Sequence, residues 1–260
     1  MTGAGVHPET FAAAALLAGA WVGALLVRGG RPGPGVRARG ALFACGLLAG
    51  LAALNGPLHD LAETSHFSAH MVQHLLLTLV VPPCLLAGTP AWMMDALLGR
   101  LLPGPRARRL ARAATRPVPA LMLHAAALVA WHLPGPYDAA LGSHGWHVVA
   151  HVTLAGSAFV AWWPVLGPSR LLPPLPYAAQ LLYLFAFGVP MTVVAAMITA
   201  ADEVLYPFYA AAASAAGLDP LADQRLGGVV MWVPAGIVPL VAFTAVFFRW
   251  VASEPEEADG

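Results

Sequence analysis

Long apolar stretches alternate along the chain with short polar or proline- and glycine-rich joints. A window of about 17 to 25 mainly apolar residues is long enough to cross the hydrocarbon core of a bilayer as a helix. Seven such windows occur, at about residues 11–27, 40–58, 66–88, 118–133, 146–166, 177–200 and 228–250. The pattern predicts an all-α, polytopic membrane protein with seven transmembrane helices. They form a single integral membrane domain over residues 1–260, which ends in an acidic cytoplasmic tail at 251–260.

The composition indicates that most of this chain lies in a lipid bilayer. Hydrophobic residues make up 59% of the sequence and charged residues 10%, whereas a soluble domain carries about 25% charged residues. The predicted helices contain internal prolines, among them Pro82, Pro83, Pro190, Pro234 and Pro239. They predict kinks or locally open backbone, which persist in lipid only where other protein groups or water satisfy the freed carbonyls.

Arginine placement predicts the orientation in the membrane. All thirteen basic residues are Arg, and twelve of them fall at one set of predicted helix ends, with only Arg225 at the other. Arginine-rich joints usually face the cytoplasm. We therefore expect the N-terminus outside, the C-terminus in the cytoplasm, and a first helix that is retained, because no Arg precedes it.

Histidines concentrate at the opposite, outer helix ends. The third helix carries His66, His70 and His74, and the fifth carries His147 and His151. A spacing of four residues puts the imidazoles of each set on one helix face. Imidazoles are costly in lipid unless they bind a metal, a cofactor, a proton or each other. With His132 at the outer end of the fourth helix, these residues are candidate copper or zinc ligands.

Other polar residues have weaker assignments. A metal-bound imidazole usually donates its second N–H to a carboxylate or carbonyl, so we expect an orienting carboxylate among Asp60, Asp138 and Asp223. The roles of His59 and His144 stay open between ligand and bystander. His124 is expected to be packed and hydrogen-bonded, His7 to be solvated, and Cys45 and Cys84 to be free thiols.

Several function classes lack their signature residues. The chain contains no glycine-rich phosphate loop, no His-Glu-x-x-His and no Cys-x-x-Cys. Its arginines sit at helix joints and form no stripe for nucleic acid. Lysine is absent, so a retinal Schiff base is excluded.

At these motifs the chain resembles the CtaG family of assembly factors for caa-type cytochrome c oxidases, which are seven-helix membrane proteins. The resemblance covers roughly residues 57–250. It is carried by the run from His66 to Leu77 with Pro82-Pro83, His132-Leu133-Pro134, Tyr137-Asp138-Ala139-Ala140-Leu141, His147-x-x-x-His151, Trp162-Trp163-Pro164, Asp223-Gln224-Arg225-Leu226-Gly227-Gly228 and Met231-Trp232.

The resemblance implies a multi-pass protein of the bacterial plasma (inner) membrane that assists copper-centre maturation without being an enzyme. Its expected partners are subunit I or subunit II of the oxidase and a periplasmic copper donor. The expected ligands are His70, His74, His147 and His151, with His66 and His132 as auxiliary ligands. Two alternatives remain open: a bis-histidine heme-binding electron carrier, and a metal or proton transporter.

Overall fold

The computed structural model describes residues 7–29 and 33–254. All regular secondary structure in these ranges is helical. Six helices are long and apolar enough to cross a membrane. In chain order they are the first span Pro8–Arg28, the second Pro34–Leu54, the third Phe67–Gly88, the fifth His144–Leu166, the sixth Tyr177–Ala200 and the seventh Pro220–Val251.

The fourth span, Pro117–His132, is shorter. It has 16 residues and a length of about 24 Å at 1.5 Å per residue. It follows the helix Pro105–Ala114 after a bend of 67°. The described residues thus contain six candidate spans, or seven if this bent pair crosses the membrane as one. Residues 255–260 of the predicted acidic tail, and Arg31, lie outside the described residues.

Five shorter helices join the spans, and proline sets where many helices begin. The shorter helices are Gly56–Thr64, Ala91–Leu101, Pro105–Ala114, Pro134–Leu141 and Pro207–Ala215. Proline suits the first helical position because its φ is already helical and the N–H that it lacks would have no partner there. It occupies that position at Pro8, Pro34, Pro105, Pro117, Pro134, Pro207 and Pro220.

The second span does not end where the apolar pattern predicts. The prediction was 40–58, but the helix begins at Pro34 and ends at Leu54. Asn55 is extended, with φ −146° and ψ 160°, and Gly56 has φ +71°, a conformation that favours glycine. Nδ2 of Asn55 donates to the carbonyl of Leu51 at 3.0 Å and so satisfies part of the helix end. Residues 56–58 belong to the following short helix.

The seventh span is longer than the predicted 228–250, because its first eight residues are helical but include polar side chains. The helix begins at Pro220 and runs for 32 residues. Oδ1 of Asp219 caps it by accepting from the backbone N–H of Leu221 at 3.0 Å. The added turns carry Asp223 and Gln224, which point into the protein and are both buried.

The third span lies at the centre of the bundle and contains a π turn. It packs against the second, fifth and seventh spans and the helix Gly56–Thr64. Residues Leu76–Val80 form a π-helical turn just before Pro82. Pro82 cannot donate to the carbonyl of Thr78, and Nε1 of Trp162 donates to that oxygen instead, at 2.9 Å. The carbonyl freed by this proline is therefore satisfied by a side chain of the fifth span, as lipid requires.

Glycines allow two close helix contacts in the core. A Cβ on Gly228 would lie 2.2 Å from Oγ1 of Thr199 and 3.0 Å from the carbonyl of Ala195. A Cβ on Gly88 would lie 2.5 Å from the backbone nitrogen of Phe43. Small residues let helix backbones approach in this way inside membranes. The first span, by contrast, packs on the second and has no buried residue.

Candidate metal centre

Five buried histidines from three spans meet near one end of the bundle. We call His70, His74, His132, His147 and His151 the inner cluster; none is more than 8% exposed. His70 and His74 belong to the third span, His147 and His151 to the fifth, and His132 is the last residue of the fourth. The structure therefore brings together five of the six histidines that the sequence predicts as ligands.

The imidazoles of the inner cluster contact one another. The Nε2 atoms of His70 and His74 are 2.9 Å apart. The ring of His151 lies 5.7 Å from the ring of His70 and 5.4 Å from that of His74, measured between centroids. His132 lies 5.4 Å from His74, and His147 lies 4.2 Å from His151.

Three of these residues lie close enough together to bind one metal ion. One nitrogen from each of His70, His74 and His151 can be chosen so that all three lie within 4.8 Å of one another. Three neutral imidazoles at this separation suit zinc or copper. His132 and His147 stand at either side of the three as further nitrogen donors.

A tyrosine sets the protonation of His70. The hydroxyl of Tyr209 donates to the carbonyl of Ala62, and its oxygen lies 3.2 Å from Nδ1 of His70. Because the hydroxyl proton is committed to Ala62, the oxygen accepts from Nδ1–H of His70. This places the lone pair of the neutral His70 ring on Nε2, the atom that would bind a metal.

The main chain sets the protonation of His132 in the same way. Nδ1 of His132 lies 2.7 Å from the carbonyl oxygen of Leu128. A carbonyl can only accept, so Nδ1 carries the proton and a neutral His132 has its lone pair on Nε2. Nε2 is buried and has no hydrogen-bond partner among the described residues.

Unpartnered nitrogens are frequent in this cluster. Besides Nε2 of His132, the atoms Nδ1 of His74, Nε2 of His147 and Nε2 of His151 are buried without a hydrogen-bond partner in the described part of the chain. Nε2 of His147 does lie 3.3 Å from Oε1 of Glu63, though not in hydrogen-bond geometry. Buried polar atoms normally have partners, since leaving one unpaired costs about 1–3 kcal/mol. Four such atoms in one cluster are therefore candidate ligand atoms.

A second group of polar side chains adjoins the inner cluster. We call His7, His59 and Glu63 the outer group. Nε2 of His59 lies 2.7 Å from Nε2 of His7 and 3.1 Å from Oε1 of Glu63. Burial lowers the pKa of His59, although the Glu63 carboxylate partly opposes that shift. The expectation that His7 is solvated is therefore wrong, because its ring is held between His59 and Glu9.

Other predicted residues lie apart from the inner cluster. Nδ1 of His66 lies 2.7 Å from the hydroxyl of Ser65, and the residue precedes the first turn of the third span. His144 is exposed, and its ring stacks on His7 at 6.3 Å. His124 is buried and lies 3.0 Å from Oγ of Ser157, which confirms the expected packed histidine.

The three carboxylates expected to orient imidazoles differ in their contacts. Oδ2 of Asp223 accepts from the backbone N–H of Phe67 at 2.7 Å, and Oδ1 accepts from the hydroxyl of Ser68 at 2.5 Å. Asp223 thus holds the start of the span that carries His70 and His74, and these bonds fix a helix rather than an imidazole.

Asp60 interacts electrostatically with the neighbouring His59 and favours its charged form. Asp138 lies in the helix Pro134–Leu141, where burial raises its pKa. Its Oδ1 has no hydrogen-bond partner among the described residues.

Two contacts around the histidines have weak or no sequence signals. Glu63 follows His59 by four residues, so their common helix face is visible in the sequence. Tyr209 lies in a short helix between the sixth and seventh spans, and nothing in the sequence links it to His70.

The two cysteines are both free, as expected.

Comparisons with known proteins identify a relative and a family for this chain. An uncharacterized protein of Mycobacterium leprae (strain TN) is 25% identical over 211 residues, which cover 72% of this chain. The chain spans 30% of the length of that relative. No solved structure matches. The family model for the cytochrome c oxidase caa3 assembly factor (Caa3_CtaG) matches residues 18–253. With several apolar helices and a family match over most of its length, this multi-pass membrane chain belongs to the family of cytochrome c oxidase caa3 assembly factors.

Proposed function

We propose that this protein holds a copper ion in the inner cluster and supplies it to a cytochrome c oxidase during assembly, without acting as an enzyme. The observation that carries the proposal is the approach of nitrogens from His70, His74 and His151 to within 4.8 Å of one another in a buried site. Membership of an oxidase assembly family connects that site to copper, the metal that a cytochrome c oxidase must acquire.

The chemistry of the donors supports an ion that is held and then released. The candidate ligands are neutral imidazole nitrogens, which bind copper in either common oxidation state. The Tyr209 and Leu128 contacts fix the ring protons on Nδ1 of His70 and His132, so that each Nε2 is free for the metal. His147 and His132 supply nitrogens next to the three-histidine group and could replace one ligand while another leaves.

The packing favours an ion over heme. Rings of the inner cluster lie as close as 4.2 Å between centroids, and a porphyrin between two of them would have to displace the others. A transporter would need polar groups that continue to the opposite side of the membrane. The histidines instead gather at one end of the bundle.

The orientation belongs to the same proposal, with the N-terminus outside, the C-terminus in the cytoplasm and the inner cluster near the periplasmic face of a bacterial plasma membrane. The helix Pro105–Ala114 carries four arginines and has no buried residue, which is typical of a helix at an anionic membrane surface. A fluorescent protein fused to residue 260 should fold and fluoresce on the cytoplasmic side. A periplasmic C-terminus would overturn the orientation.

The partners in this proposal are subunit I or subunit II of the oxidase and a periplasmic copper donor. An inner cluster near the periplasmic face would exchange copper on that side. Which subunit receives the ion can be tested by measuring copper in each purified subunit from cells that lack this protein.

The test of the function is the copper content per polypeptide after purification in detergent. The wild type should bind about one copper ion per chain, and His70→Ala/His74→Ala should bind none, at equal yield of monodisperse protein. His66→Ala is the matched control, because it removes an imidazole outside the inner cluster, and it should retain copper. A wild type without copper, or a double variant that keeps it, would overturn the proposal. A Soret absorbance band in the purified wild type would point to heme instead.

A further inference from the structure

Glu63 is a partly exposed carboxylate in contact with a buried histidine of the inner cluster. Its side chain is 33% exposed, whereas that of His147 is 9% exposed. The carboxylate Oε1 lies 3.3 Å from Nε2 of His147. A distance of about 3.3 Å is what two ligands of one ion show, since metal–ligand bonds are about 2.0–2.2 Å long.

His147 leads from Glu63 into the inner cluster. Its ring lies 4.2 Å from the ring of His151 and 5.5 Å from that of His70. Nε2 of His147 and Nε2 of His151 are both buried and lack hydrogen-bond partners among the described residues. The donor groups of Glu63, His147, His151 and His70 therefore lie next to one another. They lead from a partly exposed carboxylate to three buried imidazoles.

Glu63 lies beside the ring of His59, and hydrogen bonds fix the orientation of that ring. Nε2 of Gln73, which carries two protons, donates to the carbonyl of Ala53 at 2.8 Å and to Nδ1 of His59 at 3.0 Å. Because Nδ1 of His59 accepts, the proton of the neutral ring is on Nε2. Nε2 of His59 lies 2.7 Å from its hydrogen-bond partner, Nε2 of His7, and 3.1 Å from Oε1 of Glu63. Gln73 is fully buried, so the orientation of the His59 ring beside the carboxylate is fixed from inside the bundle.

We propose that Glu63 is the acceptor site through which a copper ion enters the inner cluster, with His147 as the first buried ligand. This inference rests on the proposed function. The ion first binds the Glu63 carboxylate. A bond from Nε2 of His147 to the ion then forms as the carboxylate bond breaks, and the ion moves on to His151, His70 and His74. The oxidation state does not change, and the released carboxylate returns to its position beside His59.

The alternative explanation for a carboxylate at this position is simple attraction of cations. Removing a charge at the mouth of a site slows cation association through the long-range field, an effect that salt screens. A carboxylate that binds the ion directly acts at contact distance, where added salt changes its effect little. The two explanations therefore differ in how the rate responds to salt.

The experiment is a loading-rate measurement on the purified protein in detergent. Cu(I) is presented anaerobically as its bicinchoninate complex, and loss of that complex is followed by stopped-flow absorbance at low salt and at about 0.5 M salt. Glu63→Gln should load about 10-fold more slowly or worse at both salt concentrations and reach the same final copper content. Glu63→Asp, which keeps the carboxylate on a shorter side chain, should recover part of the rate.

Glu203→Gln is the matched control, because Glu203 is exposed at the same set of helix ends; it should load at the wild-type rate. Loading of Glu63→Gln at the wild-type rate would overturn the inference, as would a defect that disappears at high salt. A lower final copper content with an unchanged rate would also overturn it, because Glu63 would then be a permanent ligand. The final copper content of the wild type tests the proposed function separately.

Discussion

The first and third spans have similar lengths and are both strongly apolar, yet they occupy different surroundings. They contain 21 and 22 residues, and 0% and 61% of their most apolar windows are buried, respectively. The first span has only apolar and small residues between Thr10 and Arg28. The third carries His70, Gln73, His74 and Thr78, all buried. Apolarity brings both helices into the membrane, while polar side chains that need partners indicate which one is enclosed by protein.

Added volume should distinguish the enclosed core of the bundle from the lipid-facing first span most strongly. Gly228→Ala, in the seventh span, places a Cβ 2.8 Å from the backbone nitrogen of Thr199 and 3.0 Å from the carbonyl of Ala195. These backbone atoms cannot rotate away, so the substitution should lower the free energy of unfolding by about 3 kcal/mol. The fraction of monodisperse protein after heating in detergent measures this.

Gly19→Ala is the matched control in the first span, where a Cβ meets nothing within 4 Å. It should leave the heat resistance unchanged. Equal loss in both variants would contradict the contrast between an enclosed core and a lipid-facing first span.

Removing the hydrogen bond from His70 to Tyr209 tests whether the buried polar groups of the core support metal binding. Tyr209→Phe removes the hydroxyl that accepts from Nδ1 of His70. Loss of a group that orients a ligand histidine usually lowers metal affinity by about 10–100-fold. Competition with a Cu(I) chelator measures the change.

Tyr183→Phe is its control, since the Tyr183 hydroxyl donates to the carbonyl of Ala161, which belongs to the fifth span and is not part of either histidine group. Tyr183→Phe should lower the free energy of unfolding by an amount comparable to Tyr209→Phe and leave the copper affinity unchanged. A Tyr209→Phe protein with wild-type affinity would show that this contact is structural only.

Asp223 connects the third span to the seventh. Asp223→Asn removes the charge that accepts from the N–H of Phe67 and the hydroxyl of Ser68. An anion at a helix N-terminus stabilises by about 0.3–1 kcal/mol, or more when partly buried. We therefore expect a loss of about 1 kcal/mol in unfolding free energy, measured by denaturant titration in detergent.

Asp219→Asn should have no measurable effect in the same titration, because asparagine and aspartate cap helices about equally well. If both variants lose the same stability, the buried contact between the two spans adds nothing to an ordinary cap.

The smallest effect is expected on the lipid-facing surface of the first span. Leu16 is 74% exposed, and Leu16→Val exchanges one apolar side chain for another in contact with lipid. The free energy of unfolding should stay within about 0.5 kcal/mol of the wild-type value. The yield and the heat resistance in detergent should therefore be unchanged. A clear defect would indicate that this surface packs against another protein.

Much of the fold could be predicted from the sequence, because a bilayer restricts a spanning segment to an apolar helix of fixed length. The spacing of His70 and His74, and of His147 and His151, likewise determines a shared helix face. The end of the second span at Asn55 was missed because the apolar window was continued to Leu58, through Asn55-Gly56-Pro57, although these three residues favour a turn. The polar first turns of the seventh span were missed because only apolar windows were counted.

The contacts around the candidate site were less predictable. The contacts of Tyr209 with His70, of Glu63 with His147 and of His7 with His59 cross the bundle. A side-chain period along one helix carries no information about such contacts. Asp223 was expected to orient an imidazole, but its bonds go to the main chain of Phe67 and to Ser68. The residue type indicates that the carboxylate has a hydrogen-bond partner. Only the tertiary structure shows which residues that partner includes.

The bond between Trp162 and the carbonyl of Thr78 has a consequence for how related sequences vary. The carbonyl needs this donor only while residue 82 is proline. A relative with another residue at the position of Pro82 could form a regular helix there, and its residue at the position of Trp162 would no longer need an indole N–H. Across the family, the two positions should therefore change together, although 80 residues separate them in the chain.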